Sequence, residues 1–363
     1  PSPREIIPVT LTDMAHRGFA LGRHEGRVVL AAYGIPGEDV MVEVTERRED
    51  YLVGHVVEVR TAAPSRVQAP CVYFGQCGGC QWQHLPYEKQ LHWKEEILKD
   101  TFERLGRIPN PPLLPILSSP KPWHYRNRIQ LHVNREGEIG FYKTHGQKII
   151  SIEECKIADE AINETLKKMD HRKARQLGWE IELIVDEESG KVVIEAGKGA
   201  FTQVNKEQNK KMVEAVVGLL KDEKNILELF AGGGNFSFPL ATAGAHVTAI
   251  EQMPSQPPPL SEVPKGSVQF VTMKVEKALK QIVASGKKYD AILLDPPRKG
   301  AKLVLKEIVA LNPKKIVYVS CFPPTLVRDL QYFIQKGYHL EKVQPIDMFP
   351  QTYHIESISL LTK

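Results

Sequence analysis

The sequence has few cysteines and no long apolar run. Five cysteines in 363 residues are too few, and odd in number, for a disulfide framework. Apolar stretches such as Ala291–Leu294 are far shorter than the roughly 20 residues of a membrane-spanning helix. The first residues carry two charges and no apolar segment. We therefore expect a cytoplasmic protein without a secretory signal and without a membrane partner.

A strong charge of either sign is also absent. The 48 Lys and Arg residues against 44 Asp and Glu residues give a net charge of +4, which permits a polyanionic partner without requiring one. The length and the 42% content of hydrophobic residues are typical of a globular protein with two or three domains. This composition excludes collagen-like, disordered and coiled-coil proteins.

Three patterns of secondary structure follow one another along the chain. The first 60 residues or so contain five short segments separated by glycine-rich turns, which predict a small barrel of the OB type. Such barrels bind oligonucleotides in some proteins and are plain scaffolds in others, so both roles stay open. The predicted strands are Glu5–Leu11, Phe19–His24, Arg27–Ala31, Asp39–Val44 and Leu52–Val59.

The middle of the chain predicts an α+β region. Apolar residues at helical spacing indicate an amphipathic helix over Tyr87–Leu105. The residues expected near its apolar face are Leu91, Trp93, Ile97, Leu98, Phe102 and Leu105. Strands between residues 125 and 152, a helix at Asp159–Lys173 and strands at Glu180–Val185 and Lys191–Glu195 follow.

From residue 206 onward, helices and strands alternate. This rhythm predicts a doubly wound α/β sheet with helices on both faces, closed by a C-terminal hairpin. The predicted helices are Lys206–Leu220, Phe236–Ala243, Val275–Ser285, Leu303–Ala310 and Pro324–Lys336; the predicted strands are Asn225–Phe230, His246–Glu251, Val268–Thr272, Tyr289–Leu294, Lys315–Ser320, Leu340–Asp347 and His354–Leu361.

A glycine-rich turn joins the first strand of this region to its helix. The turn runs from Phe230 through three glycines to Asn235, and Glu251 ends the next strand. Glycines let a ligand approach the backbone, and an acidic residue at the second strand's end can bind ribose hydroxyls. The spacing differs from the G-x-G-x-x-G of NAD-binding proteins. With Glu228 it reads Glu-x-Phe-x-Gly-x-Gly, which fits S-adenosylmethionine-dependent methyltransferases better.

Two later strands end in residues suited to chemistry. Asp295 opens an Asp-Pro-Pro-Arg motif, and Cys321 lies between a strand and a helix. In a doubly wound sheet these carboxyl ends face the ligand crevice. A helix N-terminus favours thiolate over thiol, which predicts a chemical role for Cys321; a buried structural cysteine is the alternative.

The other four cysteines can ligate a metal centre. Three of them lie within ten residues and one is distant. Only one C-x2-C pair is present, and spacing alone leaves a structural zinc site open. The four residues are Cys71, Cys77, Cys80 and Cys155.

Taken in order, these motifs resemble the RNA (uracil-5-)-methyltransferase family over nearly the whole chain, and the N-terminal barrel is similar to a TRAM domain. The motifs are Cys71-x5-Cys77-Gly78-Gly79-Cys80-Gln81-Trp82 with Cys155, Phe201–Asn205, Phe230–Asn235, Asp295–Arg298, Ser320-Cys321, Thr325–Asp329 and His354–Ser357.

The resemblance implies an α/β protein, with a Rossmann-like methyltransferase domain, an N-terminal OB-like (TRAM) β-barrel and a central α+β iron–sulfur domain. Residues 1–62 would form the barrel, 63–82 and 115–200 the iron–sulfur domain, and 83–114 and 201–363 the methyltransferase domain. The implied reaction is methylation of C5 of a uridine in RNA by a monomeric enzyme that uses S-adenosylmethionine. An attached barrel favours 23S rRNA as the substrate.

The resemblance also assigns roles to individual residues. Cys321 would be the nucleophile that adds to uracil C6, and Glu356 the base that removes the C5 proton, with its pKa raised by burial. Glu251 would take the ribose hydroxyls of the methyl donor, and the four clustered cysteines would hold a [4Fe–4S] cluster. The residues lining the methyl-donor pocket would be Gln203, Phe230, Asn235, Glu251 and Asp295.

The RNA must present an unpaired or flipped-out uridine, because a stacked base cannot offer C6 to a thiolate. Trp82, Arg126 and Arg128, near the cysteines, are expected to bind an RNA loop. For Arg298, a phosphate contact and a surface cation are both open.

Three departures from the family pattern keep other functions open. Pro254–Pro259 replaces a helix, Lys274 stands where the family has Asn, and Phe322 replaces the Asn after the nucleophile. The altered Pro254–Pro259 and Phe322 regions motivate one alternative, a catalytically weakened RNA-binding homologue. An amino-group methyltransferase that uses the Asp-Pro-Pro motif is a second alternative, and a tRNA uracil-5-methyltransferase is a third.

Overall fold

A computed structural model describes residues 5–144, 146–169, 175–186, 188–197, 203–252 and 267–363. The chain divides into two compact units. The first is formed by Pro1–Ile97, Pro120–Gly199 and Phe349–Tyr353, and the second by Leu98–Ser119, Ala200–Met348 and His354–Lys363. Within the described ranges, no helix combines the length and apolar character that crossing a membrane requires.

The first unit opens with a closed five-stranded barrel, as the sequence predicts. The strand order is β1–β2–β3–β5–β4, with only the β3–β5 pair parallel. Alternate side chains of each strand, such as Ile7, Val9 and Leu11, fill the interior. The strands are β1 (Ile6–Met14), β2 (Ala20–His24), β3 (Arg27–Ala32), β4 (Asp39–Arg47) and β5 (Tyr51–Thr61).

The first unit also contains an antiparallel sheet of order β10–β9–β6–β7–β8. Helix α2 packs on its apolar face, where Leu131, Ile162 and Leu183 are fully buried. The predicted helix over Asp159–Lys173 ends at Lys168, and residues 170–174 lie outside the described residues. The elements are β6 (Arg128–Val133), β7 (Ile139–Tyr142), β8 (Ile149–Ser151), α2 (Glu160–Lys168), β9 (Glu180–Val185) and β10 (Val192–Ala196).

Helix α1 (Tyr87–Asp100) continues into a π-helical turn at Thr101–Leu105. A π turn holds more residues than an α turn and shifts the phase of the apolar stripe. Phe102 is fully buried, whereas Leu105 is 63% exposed. The predicted helix is confirmed, but the expectation that Leu105 lies on its apolar face is wrong.

The second unit is the predicted doubly wound sheet, of order β13–β12–β11–β14–β15–β17–β16. Strands β11 to β15 are parallel, and the β16–β17 hairpin adds antiparallel to β15. The strands are β11 (Asn225–Leu229), β12 (His246–Glu251), β13 (Val268–Thr272), β14 (Ala291–Leu294), β15 (Lys315–Ser320), β16 (His339–Ile346) and β17 (Glu356–Thr362). The helices are α3 (Lys206–Leu220), α4 (Ser237–Thr242), α5 (Val275–Ser285), α6 (Leu305–Leu311) and α7 (Pro323–Gln335).

The strand order reverses between β11 and β14. In α/β sheets the ligand crevice lies at the carboxyl ends of the strands that flank such a point. The glycine-rich turn after β11 and Asp295 after β14 both lie there.

Candidate active site

The second unit brings the predicted nucleophile and base to one sheet edge. Strand β15 ends at Ser320, which pairs with Ser357 of the antiparallel strand β17. Continuing this register by one residue sets Cys321 opposite Glu356. Directly opposed residues have Cβ atoms about 5 Å apart, so two residues 35 apart in sequence become neighbours. On the other side, Leu294 of β14 pairs with Tyr318, and Asp295 follows at the same edge.

The carboxyl groups at this edge are shifted toward their neutral forms. Burial, together with the charge of Asp295, raises the pKa of Glu356 to about 8, while Arg298 opposes the shift. Burial also raises the pKa of Asp295 to about 7. The expected upward shift for Glu356 is thus present. Both pKa values lie near neutral pH, where a carboxyl group is best suited to exchange a proton with a reacting group.

The expectation that a helix N-terminus favours the Cys321 thiolate is wrong for the free protein. Burial, followed by the charges of Glu356 and Asp295, raises the pKa of Cys321 to about 12. Helix α7 does follow Cys321, but its first two residues, Pro323 and Pro324, have no N–H to offer. The next amide, of Thr325, donates to the Phe322 carbonyl.

The turn after β11 has the geometry of a ligand-binding loop. Phe230 has φ 61°, a left-handed conformation that is uncommon for a residue with a side chain. At Gly234 φ is 89°, and a Cβ would lie 2.6 Å from the Phe238 ring. Only glycine fits this position, so the backbone stays accessible along the loop.

Glu251 at the end of β12 faces this loop. Its Oε2 accepts a hydrogen bond from the Gly232 N–H at 3.1 Å, and its Oε1 accepts one from the Gln252 N–H at 2.7 Å. The carboxylate is therefore fixed beside the glycines, where a ribose-binding acid is predicted.

Asn235, at the end of the loop, is held by Asn209, a residue that no sequence motif identifies. Asn209 of α3 donates to Asn235 Oδ1 at 2.8 Å, and Asn235 Nδ2 donates back to Asn209 Oδ1 at 3.0 Å. Asn205 caps α3 by accepting the Gln208 N–H at 3.2 Å. Gln203 is half-buried just before this cap.

Glu228 in the middle of β11 is a second residue whose role the sequence does not reveal. It is 1% exposed and accepts a hydrogen bond from the Ser237 hydroxyl at the start of α4. Burial, with a smaller contribution from Asp295, raises its pKa to about 8. This bond fixes the start of α4 relative to β11, and thereby both ends of the glycine-rich turn.

The four remaining cysteines line one cavity of the first unit, with a volume of about 190 Å³. Asn163 of α2 fixes the backbone on either side of Cys155, accepting its N–H at 2.8 Å and donating to its carbonyl at 3.1 Å. The Gly79 N–H donates to Cys77 Sγ at 3.4 Å. The four cysteines thus lie around one cavity, and the metal ligation expected of them stays a prediction.

Four thiols are a donor set that fits either a zinc ion or a [4Fe–4S] cluster. In the described part of the chain, however, no three His, Cys, Asp or Glu side chains are grouped closely enough to hold a metal ion. Arg126 also lines the cavity, and its buried Nε has no hydrogen-bond partner. An anionic thiolate-ligated group in the cavity would lie beside this cation.

Two of the three residues expected to contact RNA are not available for it. Trp82 is 0% exposed and its Nε1 donates to the Gly18 carbonyl at 3.1 Å, so it is an internal anchor of the first unit. Arg128 is 9% exposed and forms an ion pair with the buried Glu182. The expectation that they bind RNA is wrong. Arg126 faces the cysteine cavity instead.

The structure describes two of the three departures from the family pattern, Lys274 and Phe322. Lys274 is exposed at the N-cap of α5 and makes no side-chain capping bond. Phe322 is half-buried at the N-cap of α7 in an extended conformation. Pro254–Pro259, with Phe201 and Thr202, lie outside the described residues.

Comparisons with known proteins agree with this geometry. Residues 180–258 and 261–363 match the profile described as tRNA (Uracil-5-)-methyltransferase, and residues 2–57 match the TRAM domain. The protein named 23S rRNA (uracil(1939)-C(5))-methyltransferase RlmD from Methylococcus capsulatus is 30% identical, with 100% of this chain and 98% of the relative covered. Its namesake from Shewanella woodyi is also 30% identical, covering 98% and 95%.

The crystal structure of the Pyrococcus abyssi tRNA (uracil-54, C5)-methyltransferase in complex with S-adenosyl-L-homocysteine has the same fold. The TM-score is 0.74 at 21% identity, over 98% of this chain and 100% of the other. This shared fold and the sequence matches over the full length agree with the family that the sequence motifs indicate. The chain belongs to the tRNA (uracil-5-)-methyltransferase family, which includes enzymes of ribosomal RNA.

Proposed function

We propose that the protein methylates C5 of a uridine in RNA, preferentially 23S rRNA, through a covalent bond between Cys321 and uracil C6. The observation that carries this proposal is the β15–β17 register, which sets Cys321 opposite Glu356 at the carboxyl edge of the sheet. A nucleophile and a buried carboxyl group at the cofactor crevice are the two groups that this chemistry needs.

Covalent addition solves the central problem of the reaction. Uracil C5 is too weak a nucleophile to take a methyl group unaided. Addition of the Cys321 sulfur to C6 gives C5 the electron density of an enolate carbon. S-adenosylmethionine, when bound, supplies the methyl group as an electrophile. Loss of the C5 proton then restores the double bond and expels the sulfur.

Two proton transfers accompany these steps, and two carboxyl groups lie at the edge. The Cys321 thiol must lose its proton before addition, and C5 must lose its proton before elimination. Glu356 is the base for the second transfer, because with a pKa of about 8 its ionised form is a stronger base than an ordinary carboxylate. Asp295 acts electrostatically on both Cys321 and Glu356.

The methyl donor is assigned to the crevice beside the glycine-rich turn. Glu251 would bind the ribose hydroxyls, and Gln203, Phe230, Asn235 and Asp295 would line the pocket. The carboxylate of Glu251 is held toward the loop by two backbone amides, which supports this assignment.

We expect Glu251→Gln to weaken binding of S-adenosylmethionine ten- to hundredfold, the loss produced by removing one charge-assisted hydrogen bond of roughly 1.5–3 kcal/mol. Titration calorimetry of the full-length protein measures this. Glu214→Gln, an exposed glutamate of α3, is the matched control and should bind as the wild type does. Equal affinities for Glu251→Gln and the wild type would contradict the assignment. No detectable binding to the wild type would instead favour a weakened RNA-binding homologue.

The names of similar proteins leave two RNA substrates to distinguish. The relatives named above act on 23S rRNA, which favours this substrate, whereas the family profile and the Pyrococcus abyssi enzyme are named for tRNA. Transfer of labelled methyl groups to each purified RNA shows which substrate the enzyme accepts and which atom carries the label. Mapping 5-methyluridine in rRNA and tRNA from cells with and without the gene distinguishes the two. Loss of 5-methyluridine from 23S rRNA alone is expected; loss from tRNA alone supports the alternative. Label on an amino group rather than on C5 would overturn the proposal.

We also propose that Cys71, Cys77, Cys80 and Cys155 hold a [4Fe–4S] cluster within a central domain of residues 63–82 and 115–200. The cavity that the four cysteines share and the unpartnered Arg126 Nε support this. The cluster has no step in the reaction; it would tie Cys155 to the loop of the other three. We expect the enzyme to act as a monomer in the cytoplasm.

Anaerobically purified protein is expected to be brown and to contain about four irons per chain. The Cys155→Ser variant should lose this iron, because it removes the one ligand distant in sequence. Cys321→Ser, which changes the fifth cysteine, is the control and should retain the iron. Metal analysis checks this, and stoichiometric zinc without iron in the fresh protein would contradict the cluster.

A further inference from the structure

One cation of the second unit lies close enough to act electrostatically on both the predicted nucleophile and the predicted base. Arg298 follows Asp295-Pro296-Pro297 after β14, and its Nη2 lies 3.3 Å from His354 Nδ1. His354 precedes Glu356 by two residues. An arginine keeps its proton under all ordinary conditions, so Arg298 donates and the imidazole nitrogen accepts.

The other end of Arg298 is tied to the residue after the nucleophile. The Thr325 hydroxyl lies 3.0 Å from the Arg298 carbonyl and 3.1 Å from the Phe322 carbonyl. One side chain of α7 therefore fixes the Arg298 backbone beside Cys321.

Two further contacts from α7 hold the same loop. Arg328 Nη2 donates to the Lys299 carbonyl at 3.0 Å. The fully buried Asp329 accepts the Ala301 N–H at 2.7 Å and the Tyr318 hydroxyl at 2.8 Å. Gly300, with φ 74°, lies against them, and a Cβ there would be 2.6 Å from Arg328 Nη2 and from Asp329 Oδ2. The contacts made by the motif Thr325–Asp329 therefore fix the position of the loop that carries Arg298.

We propose that Arg298 is the cationic partner of the Cys321 thiolate, and that Thr325, Arg328 and Asp329 are the positioning residues that keep it there. The inference rests on the proposed role of Cys321 as nucleophile. The charged groups acting on Cys321 are Glu356 and Asp295, which oppose ionisation, and Arg298, which favours it. Since the prolines at the start of α7 donate nothing, Arg298 replaces the helix N-terminus as the source of positive potential. Arg298 itself neither gives nor takes a proton; the S–H proton leaves to solvent or to a carboxylate.

The test is the rate at which iodoacetamide alkylates Cys321 in the full-length protein, with neither RNA nor methyl donor present. Peptide mass spectrometry separates Cys321 from the other four cysteines. Below its pKa, the rate of a thiol follows the thiolate fraction, so one unit of pKa changes it tenfold. Because the assay needs no methylation, its failure leaves the tests of the proposed function unaffected.

At low ionic strength and pH 8, Arg298→Gln is expected to be alkylated about tenfold more slowly than the wild type, with the difference shrinking in salt. Arg298→Lys keeps the charge and should recover most of the rate. Thr325→Val should slow alkylation about threefold, and Thr325→Ser, which keeps the hydroxyl, should restore it. Lys302→Gln, an exposed cation of the same loop, is the control and should react as the wild type does.

A wild-type rate in Arg298→Gln, or an equal loss in Lys302→Gln, would overturn the proposal. A wild-type rate in Thr325→Val would overturn the positioning role of α7. If Arg298→Gln does not fold, as thermal unfolding would show, Arg298→Lys and the Thr325 pair decide the question.

Discussion

Glu356→Gln is expected to convert the enzyme into one that traps its own product. Gln is similar in size to Glu, so addition of Cys321 to C6 and methyl transfer stay possible. It cannot accept the C5 proton, and elimination therefore stalls. A protein–RNA adduct that carries the transferred methyl group should accumulate, while turnover falls about 100- to 10,000-fold.

Denaturing electrophoresis with labelled methyl donor and RNA detects this adduct, because a carbon–sulfur bond survives denaturation. Glu341→Gln, an exposed glutamate of β16 in the same hairpin, should turn over normally and leave no adduct. In the wild type, release of the methylated product should speed up as the pH rises toward the Glu356 pKa of about 8, since more of the base is then ionised. Normal turnover in Glu356→Gln would show that another group takes the proton.

Cys321→Ala is expected to abolish methylation, by at least about 1,000-fold, because no other group restores the nucleophilicity of C5. Unlike Glu356→Gln, it should form no adduct at any time. Binding of S-adenosylmethionine should change little, since Cys321 is not among the residues assigned to the methyl donor. Calorimetry of this variant therefore separates loss of chemistry from loss of fold. Substantial methylation by Cys321→Ala would contradict covalent catalysis.

The strands and helices of the second unit could be predicted well because the central strands of its sheet are buried on both faces. Lys206–Leu220, His246–Glu251 and Val268–Thr272 have the bounds that their sequence patterns indicate. The apolar runs and the glycines between them leave few alternatives. At Leu105 prediction failed, because nothing in the local sequence indicates that the last turn of the helix widens.

The sequence could predict which residues lie at the site, but it could not predict how their pKa values are shifted there. Strand ends in a doubly wound sheet identify Asp295 and Cys321 from the sequence. Burial, followed by the charge of Glu356, raises the pKa of Cys321, and only the antiparallel register of β17 brings Glu356 beside it.

The sequence also could not predict which polar side chains pair with one another in the interior or which aromatic side chains are buried. The pairing of Asn209 with Asn235, for example, depends on the packing of α3 against the loop. Trp82 near the cysteines has the residue type of an RNA contact, and only its 0% exposure excludes that role.

The covalent bond between Cys321 and uracil C6 is the central claim, and RNA containing 5-fluorouridine tests it most directly. Fluorine at C5 cannot leave as a proton does, so the intermediate formed after methyl transfer is trapped. Digestion and mass spectrometry should find the peptide containing Cys321 joined to a methylated fluorouridine nucleotide, in the wild type and in Glu356→Gln but not in Cys321→Ala. Capture of the RNA on any other residue, or an adduct that persists in Cys321→Ala, would contradict the account.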